Sequence, residues 1–544
     1  MGATPAGDAA ADTPAPPTGD SGGRFAFLVA AGIFLSRIAG LIRQRVFAFY
    51  FGNSAAADAF SAAFRIPNLL QNLFGEGVLS ASFIPVYSRL LARGDGDEAR
   101  RLAGGVLALL AFVTSVLVLL GVLATPLLID LIAPGFSGAK RELTIRLVRI
   151  FFPGAGLLVL SAWCLGILNS HRRFFLSYVA PVIWNAAIIV ALLVGGTRLV
   201  QDDLAITAAW ASVAGSLLQI LVQLPAVIRI LGSIPLTTRL TSEHQRAVTR
   251  NFVPVFVSRG IVQISAYIDQ LLASLLPTGA VAALYYAQIL YTLPVSLFGM
   301  AVSAAELPAM ASAVGQTQEV ATYLRGRLTS GLRRIALFTI PSAVAFLALG
   351  DVVAGTLYET GSFTRGDSIY VWGILAGSAL GLVPATFGRL YASTFYALHD
   401  TRTPFRFALV RVVLTTGLGY VAALHLPDML GIDRRWGAAG ITLASGIAAW
   451  VELALLRRAL EGQVGVARAS RGPLIRLWLA AGAAAAVAWA VRLALPTGTH
   501  PVLLGIFVLG AYGVLYFLLA AALGVDDAAG VVRRVVRLPG RGRN

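Results

Sequence analysis

Charge is scarce in this sequence, and so are the residues that usually carry chemistry. Only 13% of its 544 residues are Asp, Glu, Lys or Arg, against 57% apolar. With a mean hydropathy of +0.78, that shortage excludes an ordinary soluble domain and points to a polytopic membrane protein. The one cysteine, Cys164, lies in an apolar segment, which excludes an internal disulfide. The five histidines (His171, His244, His399, His425 and His500) sit in or beside loops without metal-ligand spacing, so no metal centre is expected. No Walker A motif and no catalytic constellation is present, so neither ATP hydrolysis nor another enzymatic activity is expected. Lysine is reduced to Lys140, and the net charge of +17 rests on arginine. A nucleic-acid partner is nevertheless not expected, because the arginines fall between apolar spans. Residues 1–23 offer no apolar face and predict a disordered tail. No basic stretch or cleavage site precedes the first span, so no cleaved signal peptide is expected.

What is present is a succession of apolar stretches, each long enough to span a bilayer. They predict an all-α fold of about 14 transmembrane helices. The segments are a cytoplasmic tail at 1–24, a first six-helix lobe at 25–231 and a second at 249–460. Two appended helices over 474–524 and a basic tail at 525–544 complete the chain. Alternate loops are rich in arginine, which places both termini in the cytoplasm by the positive-inside bias. SASFIP at 80–85 repeats as SAAELP at 303–308, an offset of 223 residues. Equal direction and a six-span separation predict parallel repeats, with a site between the lobes as in transporters.

The second apolar segment, from Asp58 to Arg89, carries charge where lipid disfavours it. Asp58, Ser61, Arg65, Asn68, Asn72, Glu76 and Ser80 follow at steps of three or four, a single polar stripe on a helix. A charge at mid-bilayer costs roughly 2.5–3.5 kcal/mol, so the stripe should face a water-filled cavity. Pro67 should bend this helix, and Gly75 and Gly77 should let it flex around Glu76, a candidate gate. The first helix adds Arg37 and Arg43, separated by about 9 Å along its axis. Arginine forks suit phosphate, so the pair suggests an anionic head group. Internal pairing with Asp58 or Glu76 is the competing reading. Arg45 should snorkel outward. The second lobe offers Arg259, Asp269, Glu306, Arg389 and Arg411. Glu306 should reach water at its helix end, and Asp269 and Arg411 are candidate counter-ions.

SRIAGLIRQ from Ser36, the FGNS turn and DAFSAAFRIPNLLQNLFGEGVLSASFIP up to Pro85 together resemble the MurJ (MviN) family of bacterial lipid II flippases. That family belongs to the multidrug/oligosaccharidyl-lipid/polysaccharide exporter superfamily. YYA at 285–287, ELPAMAS at 306–312 and FYALHDTRTP at 395–404 extend the resemblance over most of 25–460. It implies fourteen helices around a V-shaped cavity in the bacterial inner membrane. It further implies alternating access that carries lipid II, an undecaprenyl-diphosphate-linked muropeptide, to the outer leaflet. By motif, Arg37 and Arg43 meet the diphosphate, Asp58 and Arg65 fill an acidic and a basic position of the second helix, and Glu76 is associated with gating. Asn68 and Asn72 lie on the same stripe and join the substrate-binding set.

The sequence departs from the family at Gln44, Gln71 and, most seriously, Gln288–Ile289, where an eighth-helix arginine is expected. Arg259, with Arg389, is expected to restore that charge from a neighbouring helix. Asp269 sits where some members are proposed to hold sodium, and Arg411 is expected to stand in for the cation. No cofactor is implied, and coupling to membrane potential or a monovalent ion stays open. Membrane lipids and the cell-wall synthesis machinery are further candidate partners. The alternatives are a flippase for another polyprenyl-diphosphate glycan, such as an O-antigen or exopolysaccharide unit, a cation-coupled multidrug exporter and a non-transporting cell-wall scaffold.

Overall fold

The computed structural model describes residues 21–75, 79, 82–232, 234–235, 267–312, 317–465, 471–496 and 498–537. Glu76 and Arg259 lie outside the described residues. Within them the chain is helical, and the only β feature is an isolated bridge between Thr360 and Phe363. Among the described residues, eleven helices are long and apolar enough to cross a membrane. The first lobe contains α1 (Ser21–Phe51), α2 (Ala55–Phe74), α3 (Ile84–Ala92), α4 (Gly96–Leu123), α5 (Thr125–Ile132), α6 (Gly138–Ser170), α7 (Phe174–Gly195) and α8 (Gln201–Leu231). The second contains α9 (267–274), α10 (Ala280–Ala311), α11 (Thr317–Ala348), α12 (Gly350–Tyr358), α13 (Arg365–Ala397), α14 (Arg402–Leu430) and α15 (Gly437–Val464). The pair α16 (Arg471–Ala494) and α17 (Pro501–Ala522) follows, and α18 (Asp526–Arg537) forms in the basic tail.

The packing repeats between the lobes. In the first, α6 lies between α2 and α8, with α4 against α6 and α7 against α8. In the second, α13 takes the place of α6, lying between α10 and α15, with α11 against α13 and α14 against α15. The short sequence repeat thus marks a repeated arrangement. The appended pair sits on the second lobe, α16 against α11 and α17 against α12.

Two expectations change. The polar stripe does not run down one helix: α2 continues through Pro67 but ends at Phe74, and Gly75 caps it in a non-helical conformation. A Cβ at position 75 would collide with the Gln71 carbonyl, so glycine is required at this break. α11 begins well before the apolar run, at Thr317, because its first turns are charged and amphipathic rather than lipid-compatible.

Buried ion pairs pin the elements together. Asp351, 2% exposed at the start of α12, is clamped by Arg365 of α13 and by Arg492 of α16 at 2.9 Å. Removing the Asp351 carboxylate leaves two partly exposed arginines without their shared partner. Because Arg365 and Arg492 keep partial access to solvent, Asp351→Asn should destabilise the protein by about 1–3 kcal/mol. Loosening of the α16–α17 pair would show as a lower melting temperature in detergent and faster proteolysis after Ala494. Glu306, expected to reach water, is instead 3% exposed and ion-paired to Arg327 at 2.8 Å and Arg334 at 3.4 Å. Both arginines come from α11, Arg327 ahead of its apolar run and Arg334 near its middle, so the pairing depends on packing and not on spacing within the chain.

In the loop between α6 and α7, His171 Nε2 lies 3.0 Å from the Tyr87 hydroxyl. Partial burial, helped by the neighbouring Arg173 charge, holds its imidazole below the ordinary histidine range. A group that binds protons less readily when folded stabilises the fold above its unfolded pKa and loses that contribution as pH falls. The melting temperature should therefore drop between about pH 7 and pH 5. His171→Phe should flatten that drop.

Candidate functional site

The lobes meet at the end of the bundle where α1 turns into α2. The turn requires glycine: Gly52 has φ +53°, and a side chain there would meet the Ser362 carbonyl. Ser54 then caps α2 through the Ala57 N–H. One turn on, Asp58 is 1% exposed and reaches across to the other lobe. Its Oδ1 accepts from the Ala282 N–H at 2.9 Å, and its Oδ2 accepts from Gly279 N–H at 2.8 Å and Lys140 Nζ at 3.2 Å. Gly279 gives α10 no side-chain cap of its own. Asp58 supplies that cap from the opposite lobe, placing negative charge on a positive helix end. The carboxylate thus seals the end of the bundle rather than lining a cavity.

Further inter-lobe bonds surround it. Arg45 does not snorkel; its Nη1 donates to the Thr356 and Leu357 carbonyls at 2.8 and 3.0 Å, where α12 ends. Asn53 Nδ2 donates to Asp367 at 3.0 Å, Ser362 N–H to the Phe49 carbonyl at 2.7 Å, and the Tyr286 hydroxyl to the Gly52 carbonyl at 3.0 Å. Deeper in, Gln270 and Tyr267 donate to the carbonyls of Ala62 and Arg65. The polar stripe is therefore graded: Asp58 and Ser61 are buried in the seal, whereas Arg65, Asn68 and Asn72 are half-buried below it.

Two arginines converge beneath the seal. The Arg43 guanidinium lies 4.9 Å from the centroid of Trp184 and 5.6 Å from that of Phe64. Trp184 is fixed by its indole N–H, which donates to the Ser212 carbonyl at 3.1 Å. Arg43 and Gln44 border a narrow gap closed on the far side by Tyr285 of the second lobe. Arg65 interacts electrostatically with Asp269 and with Tyr285 and Tyr267. Both arginines therefore face the second lobe around Tyr285. Arg37 is exposed, six residues before Arg43 on α1.

The second lobe holds a separate charge cluster. Arg411 Nη1 pairs with Glu452 Oε2 at 3.1 Å, and Arg389 interacts with Tyr291, Arg411 and Glu452. Asp269 senses Arg65 more strongly than Arg411, so its principal counter-charge comes from the first lobe. Glu452 was missed in the sequence, although a lone glutamate in the apolar run VELALL is itself the signal. Lys140 was missed as well, because its partners are distant in the chain. Gln288 is exposed and donates to Thr292 at 3.3 Å on its own helix.

Two pseudo-equivalent helical lobes, joined at one end and with first-lobe arginines facing the second lobe, define the class of two-lobed membrane transporters. A solved "Lipid II flippase MurJ, inward closed conformation" shares this fold with a TM-score of 0.75 and 24% identity, over 92% of this chain and 99% of that one. An inward-facing multidrug resistance MATE family transporter of the MOP superfamily shares it at 0.64 and 16% identity, over 80% and 98%. The model of the family "Lipid II flippase MurJ" matches residues 47–519, and the chain belongs to that family. A probable lipid II flippase MurJ from Rhizobium tropici is 31% identical over 93% of this chain and 95% of its own length. The lipid II flippase MurJ of Burkholderia cenocepacia is 31% identical over 79% and 82%.

Proposed function

We propose that the protein carries lipid II from the cytoplasmic to the outer leaflet of the bacterial inner membrane by alternating access, without a chemical step. The placement of Arg43 and Arg65 around Tyr285, below the seal at Asp58, carries this reading. Guanidinium groups between two lobes offer a diphosphate charge-assisted, bidentate hydrogen bonds. Arg37 extends the same charged track along α1, and Asn68 and Asn72 add neutral donors and acceptors to it. The seal around Asp58 is assigned to the outer side, so that its opening would release cargo to the outer leaflet. Both termini are then cytoplasmic. Binding that favours one of two states shifts their populations, which is all that transport of this kind requires.

In the second lobe, Arg411 and Glu452 form an ion pair that, with the nearby Asp269, acts as a charge network. Membrane potential remains available as a drive, at ~2.3 kcal/mol per charge per 100 mV. The test is rescue of cells depleted of their own lipid II flippase. Failure of the wild-type chain to restore growth, when expressed in the membrane, overturns the reading.

A further inference from the structure

Forty-two of the 43 basic residues are arginine, and the single lysine stands where a cation is least welcome. Lys140 lies in the first turn of α6, whose N-terminal dipole disfavours positive charge. Its surroundings explain both facts. The ammonium lies 3.2 Å from Asp58 Oδ2, 3.2 Å from Thr278 Oγ1 and 4.6 Å from the centroid of the Phe136 ring. Three partners radiate from one point, which suits a compact ammonium with three donors and not a planar guanidinium fork. Two partners belong to the first lobe, whereas Thr278 belongs to the loop that leads into α10. The lysine thus neutralises the buried carboxylate that caps α10 and also grips the loop before it.

We propose that Lys140 is a positioning residue of the transport cycle, whose ammonium pins the 277–279 loop to the first lobe and must release Thr278 for the sealed end to open. The inference rests on the two-state reading above and adds a residue to its gate. Once the end opens, Asp58 meets water and its need for a counter-charge falls. The lysine therefore favours the sealed state over the open one.

The purified full chain tests this without any cargo. Acetylation of Lys140 by a sulfonated N-hydroxysuccinimide ester, followed by peptide mass spectrometry, should be slow in the wild type. Thr278→Val, which removes one hydroxyl at nearly constant shape, should speed it about tenfold, the ratio expected for losing one charge-assisted hydrogen bond. A second readout uses Ala57→Cys in a Cys164→Ser background, since Ala57 is fully buried in the seal. Its maleimide labelling should rise about tenfold on Lys140→Met, without a matching loss of thermal stability, and should be restored only in part by Lys140→Arg, which keeps the charge but not the three-way geometry. The proposal is overturned if wild-type Lys140 reacts as fast as Nα-acetyl-lysine, or if Thr278→Val leaves both rates unchanged. Neither rate depends on lipid II, so failed rescue of growth and failure of this test are separate results.

Discussion

Arg43→Ala should abolish rescue of cells lacking their own lipid II flippase, with the protein still present in the membrane. The cation is held against the faces of Trp184 and Phe64, which orient it without supplying a counter-ion. An arriving diphosphate provides one. Charge-assisted hydrogen bonds are each worth about 1.5–3 kcal/mol, so losing a bidentate pair lowers cargo affinity by about 100-fold or more. Arg43→Lys should recover little, because an ammonium is neither forked nor planar. Accessibility of lipid II to an external probe checks the loss directly, and immunoblotting of membranes separates it from poor expression. Wild-type accessibility in the Arg43→Ala strain would remove Arg43 from the site.

Asp58→Asn should have the other large effect, on the balance of states. Three donors converge on two carboxylate oxygens, from Ala282, Gly279 and Lys140. Either orientation of an asparagine amide sets its own N–H₂ against at least one of them. The expected cost to the sealed state is about 2–4 kcal/mol, which lowers its population relative to the open state by about 30- to 1,000-fold. Spin labels at Val200 and Met429, exposed positions on the two lobes at the sealed end, would report the change as a longer inter-label distance. An unchanged distance distribution would show that Asp58 does not hold the seal.

These residues also show where the sequence was legible. The long helices and the two-lobe plan followed from apolar length, loop charge and a six-residue repeat, all properties local to the chain. Arg43 stood out because an arginine in an apolar helix needs a reason. Two of the three partners of Asp58 did not stand out, because they are main-chain N–H groups at 279 and 282, which any residue type but proline would provide. Arg45 was misjudged for the same reason: it ends on two carbonyls of α12. The stripe beyond Asn72 kept its periodicity past Gly75, although the helix stops there. Periodicity records which face is polar and not where the hydrogen-bond ladder breaks. Glu452 was legible in principle, whereas the burial of Glu306 depended on arginines from a helix that began earlier than its apolar run.

The seal has a further property as a target for mutation. Ser362, Arg45, Tyr286, Gln270 and Tyr267 all donate across the lobes to carbonyl oxygens, on Phe49, Thr356, Leu357, Gly52, Ala62 and Arg65. A carbonyl survives every substitution of the residue that bears it. At least half of each contact, and all of the one from the Ser362 N–H, is thereby written in the backbone, beyond the reach of point mutation, and the vulnerability of this end collects on its few side-chain donors and on Asp58. Such a joint can diverge widely in sequence while keeping its shape, and only a handful of codons guard it.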